Sequence, residues 1–594
     1  MEWWTFVVLI CVTAVLADDE WLEVRIAQGP VRGRKHPTGD VYAFYNIPYA
    51  TGPTGVNKFK APLPPPTWSV PFDATDDKTI VCPQNDHMTA LMPGIVEMRE
   101  DCLVVNVFVP DTTENNLSVF VYVHGGGFFS GFGNAFKGTQ IIKEKKDFIM
   151  VTFNYRLGVH GFLCLGTEEV PGNAGMKDQV ALLRWVQENI ASFGGNPNDV
   201  TLGGYSAGAA SADLLMLSKS AEGLFHRVIP ESGGNLAAFT MQRDPLEIAR
   251  KFARELNYVA PADDIDGLEQ FYRTVSMSLL TTHTFGTRTD ATFLFSPCVE
   301  RDTDEAFLTE SPLSILKKGE YTKLPLLYGF ANMEGLLRIE FFEIWKDMMN
   351  ENFSYFLPAD LNFVSDAERE EVASQVKTFY FGANPVSNDN ILKFVDFFSD
   401  VYFTVSKLWA AKLHAEAGHN QVYLYEYSFV DENISVVPHT NVRGADHCAQ
   451  SRAWLDNIDG SDESLATPEY QEMRRIVREI WHNFIKTGIP VPTDSSLPAW
   501  PAAGADRSPH MVLNETLELR GVFLEERIKF WDDIYENYYR DAVPPGNGAG
   551  NTSPKNMFNL FALTILFYLD VLGSLLERLF LNMYKVSQTK QYSR

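Results

Sequence analysis

The chain has 594 residues, 45 % of them hydrophobic, and a formal charge of −26 at pH 7. That length can bury a large core, and with no long biased tract most of the chain reads as globular. The acidic balance excludes a nucleic-acid partner, because no basic stripe is present to displace counterions from phosphates.

At the N-terminus, the apolar run Phe6 to Leu16 is followed by Asp18-Asp19-Glu20, and Val15-Leu16-Ala17 offers the small residues that signal peptidase needs. Residues 1–17 therefore read as a secretory signal peptide, although no Lys or Arg precedes the run. Sequons at Asn116, Asn352, Asn433, Asn514 and Asn551 fit export. Cys11 would leave with the signal. Cys82 and Cys102 bracket a loop that a disulfide can close in an oxidising compartment, a bridge that would contribute roughly 3 kcal/mol. Cys164, Cys298 and Cys448 read as buried thiols, since no metal-ligand spacing surrounds them; neither a metal nor another cofactor is expected.

Trp21 to Tyr49 alternates around the turns Gly29-Pro30 and Gly39-Asp40 and predicts a hairpin at the start of a sheet. Glu100 to Pro110, Ser118 to Val123 and Asp147 to Tyr155 are apolar enough to be strands covered on both faces. Met176 to Phe193 places Val180, Leu183, Val186, Ile190 and Phe193 on one helical face. Strands alternating with helices at this spacing predict an α/β fold, a large mixed and mostly parallel central sheet with helices on both faces.

Two stretches carry chemistry. Gly204-Tyr205-Ser206-Ala207-Gly208 lies between the apolar run ending at Leu202 and a small-residue helix from Ala207 to Leu217. Strand, sharp turn and helix is the setting of a nucleophile elbow, in which a strained serine stands clear and flanking glycines remove Cβ atoms that would collide. His124-Gly125-Gly126-Gly127-Phe128 follows the strand at Val123. Its glycines leave N–H groups free to converge on one spot, as a developing oxyanion requires. A hydroxyl nucleophile also needs a histidine to take its proton and a carboxylate to orient that histidine. The strand-like run Leu324 to Gly329 is followed by a loop holding Glu334, and the strand Gln421 to Phe429 by a loop holding His439 and His447. The residues alone leave several acids and histidines open.

Together with Glu100-Asp101-Cys102-Leu103, Asn154-Tyr155-Arg156 and Phe193-Gly194-Gly195-Asn196-Pro197, these motifs resemble the type-B carboxylesterase and cholinesterase family of the α/β-hydrolase fold, and most of all its secreted insect-type carboxylesterases. The resemblance runs from about Trp21 to about Tyr539. It implies a serine carboxylesterase with Ser206 as nucleophile, Gly126, Gly127 and Ala207 as oxyanion hole, and Glu334, in a turn similar to the family's Asn-x-x-Glu-Gly, as the acid. It also selects His447, in a glycine-x-x-histidine match at Gly444, as the base, and leaves His439 to the surface or to packing. The chain departs from the family at Tyr205, often acidic there, at Cys448-Ala449-Gln450 after the histidine, and at Lys58-Phe59, where arginine is usual.

The expected partner is a small neutral, apolar ester. Acetylcholine is disfavoured because the Cys82 to Cys102 loop lacks a tryptophan for the cation, and a juvenile hormone substrate because Tyr205 replaces the glutamine usual in that group. After the esterase domain, 18–543, a Pro/Gly linker spans 544–556 and an apolar segment spans 557–576, with a basic tail to 594. That segment is just long enough to span a bilayer but carries Asp570, so membrane association is an expectation and a membrane-anchored binding protein on the same fold is the alternative reading.

Overall fold

The computed structural model describes residues 21–546, apart from 86–88, 90–91, 93–95, 136, 260, 262, 283–287 and 457–465. The chain divides into two compact units, Met1–Asn547 and Gly548–Arg594, and every described residue belongs to the first. The expected signal peptide, the apolar segment 557–576, Asn551 and most of the linker lie outside the described residues. Among the described residues no helix is long and apolar enough to cross a membrane.

The strands are β1 (Trp21–Ile26), β2 (Gly29–Lys35), β3 (Val41–Pro48), β4 (Phe72–Asp73), β5 (Thr79–Val81), β6 (Val96–Met98), β7 (Val104–Pro110), β8 (Leu117–Val123), β9 (Phe148–Phe153), β10 (Gly195–Tyr205), β11 (Arg227–Glu231), β12 (Leu326–Ala331), β13 (Val422–Tyr427), β14 (His510–Leu513) and β15 (Glu518–Arg520). Apart from the β5–β6 pair, they form one sheet in the order β1-β2-β3-β7-β9-β8-β10-β11-β12-β13-β14-β15, with β4 beside β2. Pairing is antiparallel from β1 to β9 and parallel from β9 through β14, so the sheet is mixed and mainly parallel in its centre, as the strand-helix alternation predicted. All seven residues of β8 are buried, and both of its neighbours run parallel to it. A strand covered on both faces needs apolar side chains in succession, which is why Leu117–Val123 shows little alternation.

Helices cover this sheet. Ala174–Asn189 starts where Asn173 adopts a left-handed conformation, and the turn Ile190–Phe193 extends it to the predicted end. Pro468–Thr487 begins where Thr467 caps the Tyr470 N–H and Pro468 occupies the first turn. It packs Val477, Ile480, Trp481 and Phe484 into the main core with Phe120, Tyr122, Tyr425 and Trp454.

Two disulfides close the framework. Cys82 and Cys102 are joined, as expected. Cys164 and Cys298, expected to be separate thiols, are also joined, across 134 residues. No local spacing signals such a pairing, because the tertiary fold alone brings the two segments together. Cys448 is a free buried thiol.

Candidate functional site

The strained turn sits where β10 meets the helix Ala207–Leu217. Ser206 has φ 56° and ψ −123°, a conformation rare for any residue with a side chain. Its N–H donates to the Glu231 carbonyl at 2.8 Å, which ties the turn to the end of the neighbouring strand. The flanking glycines are steric requirements: a Cβ on Gly204 would lie 2.6 Å from the Gly208 carbonyl oxygen, and one on Gly208 would lie 2.1 Å from that of Val123. The serine is 8 % exposed.

The triple-glycine loop leaves the end of β8 beside this turn. A Cβ on Gly125 would meet Ser206 Cβ at 2.9 Å, so glycine is what allows the two segments to approach. Gly126 and Gly127 have φ of 104° and 61°. Among the described residues their N–H groups have no hydrogen-bond partner, and the N–H of Ala207, first in its helix, has none within the helix.

The loop is held from behind by the Asn154-Tyr155-Arg156 segment and its partners. Tyr155 stacks on His124, with centroids 4.4 Å apart, and its hydroxyl donates to the His124 carbonyl at 3.0 Å. Asn154 Oδ1 accepts from Gly133 N–H at 2.7 Å, and its amide donates to Ile80 and Cys102 carbonyls at 2.8 and 3.2 Å. The Gln84 side chain exchanges two bonds with Gly131, so the Cys82–Cys102 bridge also anchors the glycine loop. Arg156 grips Asp178 with two nitrogens at 2.8 and 2.6 Å and donates to the carbonyls of Lys58 and Lys60. Lys58 itself donates to the Gly55 and Arg273 carbonyls, while Glu100 accepts from Gly55 N–H and approaches His160.

Glu334 and His447 are adjacent although 113 positions separate them. Glu334 Oε2 lies 2.5 Å from His447 Nδ1, and Oε1 accepts from the Ala331 N–H at 2.8 Å. Glu334 is fully buried and the His447 side chain is 12 % exposed. Asn332 Oδ1 accepts from Ala445 N–H, and Met333 N–H donates to the Ala445 carbonyl, so two bonds of 3.0 Å each stitch the acid's turn to the histidine's loop. Gly335 is required because a Cβ there would lie 2.1 Å from the Val395 carbonyl oxygen. The Asn332-Met333-Glu334-Gly335 turn is thus a set of contacts that deliver one carboxylate to one imidazole.

A π-helical turn, Asp400–Thr404, lays Phe403 against the His447 ring, with centroids 4.4 Å apart. His447 Nε2 is buried and has no hydrogen-bond partner among the described residues. With Nδ1 held by a carboxylate, Nε2 is the nitrogen left to exchange a proton. His439 is exposed and lies 3.2 Å from Glu343, consistent with the surface role expected for it.

Ser206, Glu334 and His447 follow β10, β12 and β13, and the glycine loop follows β8. All four strands are parallel, so all four turns open at the same carboxyl edge of the sheet, where such sheets place their sites. Sequence reading missed Phe403, Gln84 and Glu231, a wholly buried carboxylate behind the serine turn. The one available signal for Glu231 was a charged residue directly after the apolar run Val228-Ile229-Pro230. Among the described residues no group of His, Cys, Asp and Glu could hold a metal ion. Asn116 and Asn433 are exposed, whereas Asn352 and Asn514 are partly covered.

The sequence profile of the Carboxylesterase family matches residues 20–531. A carboxylic ester hydrolase of Bombus ignitus is 32 % identical over 77 % of this chain and 82 % of its own. A juvenile hormone esterase of Heliothis virescens is 32 % identical over 77 % and 84 %, and venom carboxylesterase-6 of Apis mellifera 30 % identical over 87 % and 95 %. The crystal structure of juvenile hormone esterase from Manduca sexta, with OTFP covalently attached, superposes with a TM-score of 0.77 at 31 % identity, covering 87 % of this chain and all of that one. With this fold and these relatives, the chain belongs to the carboxylesterase family, the carboxylic ester hydrolases of the α/β-hydrolase fold.

Proposed function

We propose that the chain is a serine carboxylesterase that works through an acyl-enzyme. Ser206 Oγ attacks the ester carbonyl carbon as His447 takes its proton, and the negative oxygen is held by the N–H groups of Gly126, Gly127 and Ala207. His447 passes the proton to the departing alcohol. It then takes one from water, which attacks the acyl carbon, and returns it to Ser206 Oγ as the acid leaves. Glu334 fixes the ring with Nδ1 protonated and stabilises the imidazolium.

The observation that carries this reading is the buried pair of Glu334 and His447, 2.5 Å apart, with the ring's other nitrogen unpartnered at the edge of the sheet that also presents the strained serine. The covalent adduct named for the Manduca sexta relative is the kind of product such a nucleophile gives. A neutral, apolar ester is supported by the aromatic wall beside the histidine, where Phe403 packs on Phe239, and Phe239 on Phe293 and Tyr402. The two disulfides support an oxidising, secretory compartment, with 1–17 as its signal peptide.

The test is a panel of short-chain aryl esters on wild type and Ser206→Ala, with a fluorophosphonate label. Wild type should turn over and take up one label, whereas the variant should take none and lose kcat by as much as about a millionfold. Equal labelling of the two proteins would refute the assignment of Ser206. Acetylthiocholine hydrolysed faster than naphthyl acetate would refute the substrate class, and no turnover of any ester would return the chain to the binding-protein alternative.

A further inference from the structure

Glu231 ends β11 with its side chain wholly buried, and its carboxylate meets four neutral donors. The indole N–H groups of Trp454 and Trp481 both donate to Oε1 at 2.9 Å, and the hydroxyls of Tyr122 and Ser451 reach Oε2 at 2.9 and 3.1 Å. These partners come from three elements: β8, the helix Ala449–Trp454 directly after His447, and the helix Pro468–Thr487. The backbone carbonyl of the same residue accepts the Ser206 N–H.

One residue therefore bonds the serine turn through its main chain and the histidine's following helix through its side chain. On the reading of the site given above, we propose that Glu231 is a positioning residue of the reaction, whose ionised carboxylate keeps the helix after His447 in register with the Ser206 turn.

The hydrogen bonds say what protonation would do. An indole N–H can only donate, so Oε1, which accepts two of them, has no room for a proton. A proton on Oε2 must be given to Tyr122 or Ser451, and that hydroxyl must then turn its own hydrogen away. The Oε2 pair is what changes: with the proton given to Ser451, one of the histidine helix's two bonds to the carboxylate reverses while the Trp454 bond to Oε1 stays. The titratable groups facing Glu231 are Tyr122 on β8, Tyr425 on β13, Cys448 beside the histidine, and Lys407 on the helix Val405–Glu416, whose ammonium donates to the Pro230 carbonyl at 2.7 Å. Burial outweighs the four donors and pushes the Glu231 carboxyl up to about 7, within the range in which an esterase is assayed.

Glu231→Gln tests this. The amide oxygen can accept from both indoles, and the NH2 can donate to the two hydroxyls, so the variant imitates the protonated acid and cannot titrate. kcat on an aryl ester is measured from pH 5.5 to 9 and normalised to fluorophosphonate-titrated sites. Wild type should exceed the variant by about fivefold at pH 8.5, well below the hundredfold that a full ångström of displacement can cause, and the two should converge at about pH 5.5 with KM within about twofold. A merely structural role would leave that ratio independent of pH. Ser451→Ala, which removes one of the two bonds from that helix to the carboxylate without a buried charge change and leaves the Trp454 bond, should also lower kcat at pH 8.5. A ratio that is 1 throughout or constant with pH overturns the inference, as does a Ser451→Ala kcat equal to wild type. A wild type that hydrolyses no ester sinks the function proposed above instead.

Discussion

Glu334→Gln removes a charge without removing volume, and the bonds around the acid decide how the amide must sit. Oε1 accepts the Ala331 backbone N–H at 2.8 Å, a donor that cannot reverse, so the glutamine oxygen takes that place. Its NH2 is then left facing His447 Nδ1, where the carboxylate oxygen had stood at 2.5 Å. The imidazole can satisfy that contact only by presenting its lone pair on Nδ1 and carrying the hydrogen on Nε2. In that tautomer Nε2 cannot accept the serine proton. The expected loss is about 10⁴-fold in kcat, or about 5 kcal/mol of barrier, with little change in KM or in thermal stability because the side chain is isosteric. Glu334→Asp keeps the charge but draws it back by one methylene, and should cost about 10²-fold. Both are read from steady-state hydrolysis of an aryl ester normalised to titrated sites. A Glu334→Gln enzyme that keeps more than a tenth of the wild-type kcat would show that tautomer control is not what Glu334 supplies.

Gly126→Ala would set a Cβ 2.1 Å from the Ser130 carbonyl oxygen at a φ of 104°, so the loop must turn away. kcat should fall about 10²- to 10³-fold, as for loss of an oxyanion donor, with circular dichroism unchanged; an unaltered kcat refutes the role. Replacing both Cys164 and Cys298 with serine opens a bridge spanning 134 residues and should lower stability by about 4 to 5 kcal/mol, visible as an earlier urea midpoint. An unchanged midpoint would mean that the fold holds those segments together unaided.

Local rules governed what the sequence disclosed. Leu117–Val123 is a strand because the apolar run Val119–Val123 suits a position covered on both faces, and Ala207–Leu217 falls at the bounds read from its small residues. The serine turn and the glycine loop were legible because each needs missing Cβ atoms within a few residues, a demand that shows in composition. Glu334 and His447 were identified through resemblance, since nothing in either loop alone separates a histidine-orienting acid from a solvated one.

What the sequence by itself determined, then, is the succession of strands and helices, the strained turn and the bare amides, all set by interactions within about ten residues. Tertiary structure alone decided which carboxylate reaches His447 across 113 positions, that Cys164 meets Cys298 across 134, that Phe403 lies on the imidazole, and that Glu231 binds the serine turn and the histidine helix together. The physical reason is the same in each case. A side chain's partner is chosen by where the sheet order brings two strand ends, and that order is fixed by packing the whole core rather than by any stretch of chain read alone.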